Sequence, residues 1–316
     1  MKNKVSLFLD SGAFSAWSKG LQIDIDEYID FIKVNEKYID VYSVLDSIGD
    51  PELTLKNQAI MEKAGLSPIP CFHYGEDIKY LKCYLQKYNY IALGGMVPIG
   101  SADLSVWLDS IFSEYICDST GLPICKIHGF GMTSLKLVLR YPWYSIDSTS
   151  WVATGRFGSV FVPQIKMGRY VYDENSWKIC VSNRSPSIKE TGKHLSTFSN
   201  MERQQILKYF DSKGFKLGKS EFRKEDEKYK PKEGERWFGK AEADSQRNMY
   251  EDRSGYVQRG WTKERIIEKV IEPGLCNDYR QRDELNIIYF LDLEKSLPEW
   301  PWSWKATKPK GFDMRR

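Results

Sequence analysis

The chain has 316 residues, enough for one large α/β domain with additions. Hydrophobic residues make up 41%, and no run approaches the roughly 18 apolar residues that span a bilayer, so no membrane-spanning helix is expected. The net charge of +3 conceals a gradient: 13 Lys+Arg against 18 Asp+Glu over 1–154, 10 against 5 over 155–214, and 23 against 20 over 215–316. The first apolar stretch stops at Asp10, too short for a signal peptide, so a cytoplasmic location is expected. Cysteines at 71, 83, 117, 125, 180 and 276 show no CxxC spacing, so neither a zinc ribbon nor any other metal site is expected. Cys71 and Cys125 lie inside apolar runs and read as small buried hydrophobes.

Short apolar runs come first in chain order, several of them ending in Asp, His or Gly-Gly. Val5–Leu9 precedes Asp10, Val41–Leu45 precedes Asp46, and Pro68–Phe72 precedes His73. Tyr90–Leu93 precedes Gly94-Gly95, Pro123–Ile127 precedes His128-Gly129-Phe130-Gly131, and Trp143–Ile146 precedes Asp147. Helical patterning fills the gaps at Asp26–Tyr38, Glu52–Ala64, Ile78–Tyr88, Leu104–Tyr115 and Ser134–Tyr141. Asp50-Pro51 is a good helix start and Gly65 a good stop. Strand–helix alternation with polar strand ends predicts a TIM-like (β/α)8 barrel, whose chemistry gathers at the C-terminal mouth.

After Asp147 the rhythm changes. Thr154-Gly155-Arg156-Phe157-Gly158-Ser159 reads as a glycine-rich basic loop. Val160–Ile165, Arg169–Asp173 and Trp177–Val181 read as short antiparallel strands, and Asn200–Lys213 as a helix capped at Ser199 or Asn200. Lys216–Pro231 is charged and weakly patterned, Trp261–Val270 reads as helix, and Asn286–Leu293 as a strand. Only six barrel-type strands precede Asp147, so the last strands must be rearranged, incomplete or supplied by Asn286–Leu293. This divides the chain into a core carrying the site (1–154), a basic, β-rich and charged insertion (155–260), and a C-terminal segment completing the barrel (261–316). The Trp-rich tail Trp300-Pro301-Trp302-Ser303-Trp304 is expected to close the barrel.

Asp10-Ser11-Gly12-Ala13-Phe14 resembles the DSGG-aromatic motif of tRNA-guanine transglycosylases. The resemblance continues in order through Asp46, Gly94-Gly95-Met96, His128-Gly129-Phe130-Gly131, Ile146-Asp147-Ser148 and Thr154-Gly155-Arg156-Phe157-Gly158, and covers about half the chain. That family's zinc site follows its nucleophile. Here only Cys180 and His194 lie in the corresponding region. This departure, with the start at what would be the family's third strand and the run Ser145–Trp151, looks more like the deoxypurine-in-DNA protein A group. Those relatives, compact in bacteriophages, insert 7-deazaguanine bases (preQ0-like) into DNA.

The resemblance implies exchange of guanine in DNA for a 7-deazaguanine, with Asp147 as nucleophile on the sugar and Asp10 as general acid, then base. Retaining glycosidases divide labour between two carboxylates in the same way, about 5 Å apart. Asp46 would read the guanine edge, Gly95 and Met96 beside Gly94 would offer backbone N–H groups, and His73 would touch the base. Phe14 and His128 would sandwich it. The partners implied are DNA, with its target nucleotide flipped or unpaired, and the free 7-deazaguanine base. No cofactor is implied. Arg156, Lys166 and Arg169 are candidate phosphate contacts, with Arg184 and Lys193 behind them. Alternatives stay open for each residue: a helix N-cap for Asp10, Asp46 or Asp147, a buried structural role for His73, and core packing for Phe14. The rival functions are a tRNA transglycosylase, a non-catalytic nucleic-acid-binding barrel, and an unrelated barrel hydrolase.

Overall fold

The computed structural model describes residues 6–132, 134–172, 176–185, 191–226, 228–237 and 266–304. The fold is mixed α/β and divides into two units, Met1–Ser148 with Leu297–Arg316, and Thr149–Ser296. The C-terminal segment is thereby split, and the residues before Leu297 belong with the second unit.

The first unit alternates strand and helix. In order come β1 (Phe8–Leu9), α1 (Ala13–Ser18), α2 (Ile25–Asn35), β2 (Val41–Tyr42), α3 (Pro51–Lys63), β3 (Cys71–His73) and α4 (Ile78–Lys87). They are followed by β4 (Tyr90–Gly94), α5 (Ser101–Ile111), β5 (Lys126–Gly129), α6 (Leu135–Arg140) and β6 (Ser145–Ile146). Three of these helices begin where a side chain satisfies their first N–H groups: Asp24, Asp50 and Asp77 cap α2, α3 and α4.

Strands β3-β4-β5-β6 form a four-stranded parallel sheet. β1 and β2 form a parallel pair, and a parallel bridge between Ser43 and Ile69 carries the ladder from β2 towards β3. The strands therefore follow one another in chain order. The ladder curls, because Phe8 on β1 stacks on His128 on β5 with ring centroids 4.2 Å apart. Buried apolar residues line both faces, Phe72, Ile91, Leu93 and Ile127 in one cluster and Val44, Ile69 and Ala92 in another, as parallel sheets require. The tail returns to this unit. Trp304 joins the first cluster and donates its backbone N–H to Gly121, where an added Cβ would lie 2.2 Å from the Trp304 carbonyl.

The second unit holds α7 (Ser150–Arg156), β7 (Ser159–Val162), β8 (Gln164–Lys166), β9 (Arg169–Val171), β10 (Trp177–Cys180) and α8 (Asn200–Ser212). β11 (Lys219–Lys224), β12 (Glu235–Trp237), β13 (Ile266–Glu272) and α9 (Tyr279–Ser296) complete it. The expected antiparallel pairing is present between β7 and β10 and between β8 and β9. Ser199 caps α8 in a full capping box with Glu202.

Three expectations fail here. Asn286–Leu293 is not a strand but part of α9, so it adds nothing to the parallel sheet. Its buried residues Arg282, Leu285, Asn286, Tyr289 and Leu293 follow helical spacing, which its β-branched and aromatic content disguised. Trp261–Val270 is not helical where it is described, since Ile266 onward pairs antiparallel with β11 and β12; residues 261–265 lie outside the described residues. The Thr154–Ser159 segment is not all loop either. Gly155 lies in α7, and an added Cβ there would lie 1.9 Å from the Asp283 carboxylate, so its glycine serves close packing. No helix of the described residues is long and apolar enough to cross a membrane.

Candidate active site

The C-terminal ends of the parallel strands carry a connected polar line. Ser11, just after β1, donates its backbone N–H to Ser43 Oγ (3.0 Å) and its hydroxyl to Asp46 Oδ1 (2.7 Å), and that hydroxyl accepts the Ala13 N–H (3.1 Å). The other Asp46 oxygen, Oδ2, lies 2.9 Å from His73 Nε2. His73 Nδ1 lies 2.9 Å from Glu76 Oε1, and Glu76 Oε2 accepts the His73 backbone N–H (3.0 Å). One imidazole is thus held between two carboxylates, all three side chains nearly buried.

Burial alone would lower the His73 pKa, but Cys71, Asp46 and Glu76 outweigh it and the net shift is strongly upward. Burial pushes the Cys71 thiol up to about 11, so at neutral pH the thiol is uncharged and the two carboxylates carry the effect. Cys71 Sγ lies 3.5 Å from His73 Nε2. Gly94, paired with His73 across β3 and β4, leaves room for both: an added Cβ would approach Cys71 Sγ and His73 Cδ2 to 2.9 Å. Gly95 turns the chain at φ +66, and Met96 behind it is buried.

Asp147 follows β6. Its Oδ1 accepts the Gly131 backbone N–H at 2.7 Å, and its side chain is 43% exposed. Beside it, buried His128 places Nε2 3.7 Å from the same oxygen. Among the described residues that nitrogen has no hydrogen-bond partner, while Nδ1 lies 2.6 Å from Ser145 Oγ, which in turn lies 2.6 Å from the Tyr90 hydroxyl. Asp10, after β1, keeps solvent-exposed surface. Exclusion of water by surrounding atoms raises its pKa first, and the Asp46 and Asp147 charges add to this against N–H donation from Gly12 and Ser11. Its exposure limits the size of that rise.

The structure therefore gathers Asp10, Asp46, His73, Gly94, Gly95, His128 and Asp147 at one edge of the sheet. None of the three aspartates is a helix N-cap: Gly12, Asp50 and Thr149 hold those positions for α1, α3 and α7. Phe14 lies on α1 and is 49% exposed, so it is no core residue. His128 departs from expectation as a stacking platform. Phe8 covers one face of its ring and Phe130 stands edge-on at 4.5 Å. Chemically, the arrangement offers an accessible carboxylate, a second carboxyl that stays protonated to higher pH, and a nearly buried polar cluster of Asp46, His73 and Glu76.

The proposed phosphate contacts belong to the second unit. Arg156 ends α7, and Lys166 and Arg169 pair directly across the β8–β9 hairpin, all three exposed. The hairpin turns on Met167 (φ 48) and Gly168 (φ 75), with Met167 fully exposed at its tip. Arg184 is not a spare cation: its Nε lies 2.6 Å from the buried Glu268. Sequence reasoning overlooked Glu76, Ser145, Tyr90 and the polar contact of Cys71. Cys71-Phe72-His73 on one strand and the His73-to-Glu76 spacing carried a signal for two of them, since alternate strand residues share a face. Comparison with known protein families, curated proteins and solved structures finds no match to this chain.

Proposed function

We propose that this protein is a base-exchanging guanine transglycosylase acting on DNA, with a 7-deazaguanine as incoming base and a covalent Asp147–sugar intermediate. The observation that carries the reading is the convergence, from strand ends far apart in sequence, of Asp10, Asp46 and Asp147 at one edge, close enough for the latter two to act on Asp10's ionisation. Parallel strands in chain order, curled so that β1 meets β5, support a TIM-like barrel core with the site at its mouth.

In this reading Asp147 attacks C1′ as the guanine leaves, and Asp10 protonates the departing base. The raised pKa of Asp10 suits that acid role, and after departure its carboxylate accepts a proton from the incoming base. His73 and Asp46 present polar atoms to the base edge, exposed Gly95 beside Gly94 lets it approach, and exposed Phe14 offers a stacking face. The unpartnered His128 Nε2 faces Asp147 and contacts the sugar rather than stacking on the base. The target nucleotide must leave the duplex stack, or be unpaired, to reach these strand-end groups. Arg156, Lys166 and Arg169 hold phosphates.

The test is mass spectrometry of nucleosides from DNA and RNA, digested separately, of cells expressing the chain with a 7-deazaguanine supply. The modified deoxynucleoside is expected in DNA. Modified base in tRNA alone would replace this reading with the tRNA rival, and modification in neither would overturn both.

A further inference from the structure

Asp46, Cys71 and His73 offer three different metal-ligand types, and their ligand atoms lie within 4.8 Å of one another. Two come from alternate residues of β3 and so share a face; the third follows the neighbouring strand β2. Cys71 and His73 are buried, and the Asp46 side chain is 11% exposed.

Three details suit a cation. First, His73 Nδ1 is held by Glu76, leaving Nε2 to face Cys71 and Asp46; metal-bound histidines are oriented in the same way by a carboxylate on their other nitrogen. Secondly, a tetrahedral ion with bonds of about 2.3 Å to sulfur and about 2.05 Å to nitrogen sets the two ligand atoms about 3.6 Å apart. The observed Sγ–Nε2 distance is 3.5 Å. Thirdly, Gly94 sets no side chain against either atom, where an added Cβ would lie 2.9 Å from Cys71 Sγ and 3.3 Å from His73 Nε2. Asp46 is likewise steadied from behind by the Ser11 hydroxyl.

We propose that Asp46, Cys71 and His73 bind a zinc-class divalent cation, with a fourth position open to solvent or to a heteroatom of a substrate. Entry of the ion displaces the Cys71 thiol proton and the proton shared by His73 and Asp46. That last pair, now 2.9 Å apart, opens by about 0.4 Å to reach tetrahedral spacing. Three protein ligands and one open position is the pattern of a catalytic rather than a structural zinc site. The cation stands on this geometry alone and does not need the base-exchange reading. Where both hold, Asp46 is a ligand, and the open position takes a heteroatom of the base in place of direct reading by the carboxylate.

The full chain is stripped with a chelator and titrated with Co(II). One equivalent should bind and give the near-ultraviolet thiolate-to-cobalt charge-transfer band. Cys71→Ser should abolish that band, and Cys180→Ser, at the other buried cysteine beside a histidine, should keep it. Glu76→Gln should weaken binding by about 10–100-fold. X-ray absorption of the zinc-loaded wild type covers the case in which Cys71→Ser does not fold: one sulfur at about 2.3 Å with nitrogen or oxygen at about 2.0–2.1 Å is expected. No saturable binding, a ligand shell without sulfur, or a band that survives in folded Cys71→Ser overturns the site. None of these readouts uses exchange activity, so the metal site and the transglycosylase reading fail separately.

Discussion

Asp10 is the residue whose surroundings most directly fit its proposed task. Asp10→Asn should slow base departure by a factor on the order of 10²–10⁴, the usual worth of a general acid–base group. The wild-type rate of that step should fall as pH rises through the raised pKa, and the variant should lose this limb; single-turnover measurements across pH decide it. Stability moves the other way. A carboxyl whose folded pKa is raised favours the folded state at acid pH, and that contribution is lost as pH rises through the folded value. Asp10→Asn should therefore melt at a higher temperature than wild type at neutral pH, with the gain fading below about pH 3.8, the ordinary carboxylate value. A variant no more stable than wild type at neutral pH contradicts the assigned environment. Gly94→Ala tests the polar cluster, since its Cβ would come within 2.9 Å of Cys71 and His73 and force them apart. Loss of free-base binding with the fold retained is expected. Asp10 and Asp147 were legible in the sequence because each ends an apolar run. The Asp46–His73–Glu76 line was not, because which side chains meet across neighbouring strands depends on register, and the sequence does not state register.

Among the elements, the β8–β9 hairpin and α7 carry the cations assigned to phosphate. Charge reversal of Arg156 and Arg169 should weaken DNA binding and flatten its salt dependence, because fewer counterions are released, while free-base binding survives. Unchanged salt slopes would remove these residues from the interface. The antiparallel sheet of β11, β12 and β13 depends on a different ionic feature. Glu268 is fully buried and accepts from Arg184, Arg236 and Ser220, which together hold its pKa below the usual range although burial pushes it up. Glu268→Ala leaves two arginines without their shared partner and should cost about 3 kcal/mol, read by urea unfolding. A depressed folded pKa gives stability that is present above the ordinary carboxylate value and lost as pH falls through the folded one, so the difference between variant and wild type should shrink in acid. The helices α2, α3 and α8 were readable from sequence, the last with its cap left open between Ser199 and Asn200, which the box with Glu202 decides for Ser199. The helix α9 was not. Its run Asn286–Leu293 has strand-like composition, yet Asn286 is buried mid-helix, accepting from Phe161 N–H and donating to the Trp151 carbonyl, a tertiary role that no local propensity reveals.

For the whole molecule, strand–helix alternation foretold the first unit up to its sixth strand, and the tail, expected to close a barrel, places Trp304 in that unit's core. The sequence could not say how the remaining strands are supplied. Closure is a matter of distant pairing, and the segment nominated for it forms a helix instead. The central claim, a covalent Asp147–sugar intermediate in base exchange, is tested most directly by trapping. Wild type and Asp147→Asn are each incubated with a guanine-containing oligodeoxynucleotide, quenched, and analysed by intact-mass spectrometry with peptide mapping. The account predicts an adduct of the strand less its guanine on the peptide carrying Asp147 in wild type, and none in Asp147→Asn although that variant still binds DNA. Exchange without any adduct, an adduct on another residue, or wild-type exchange by Asp147→Asn would contradict it.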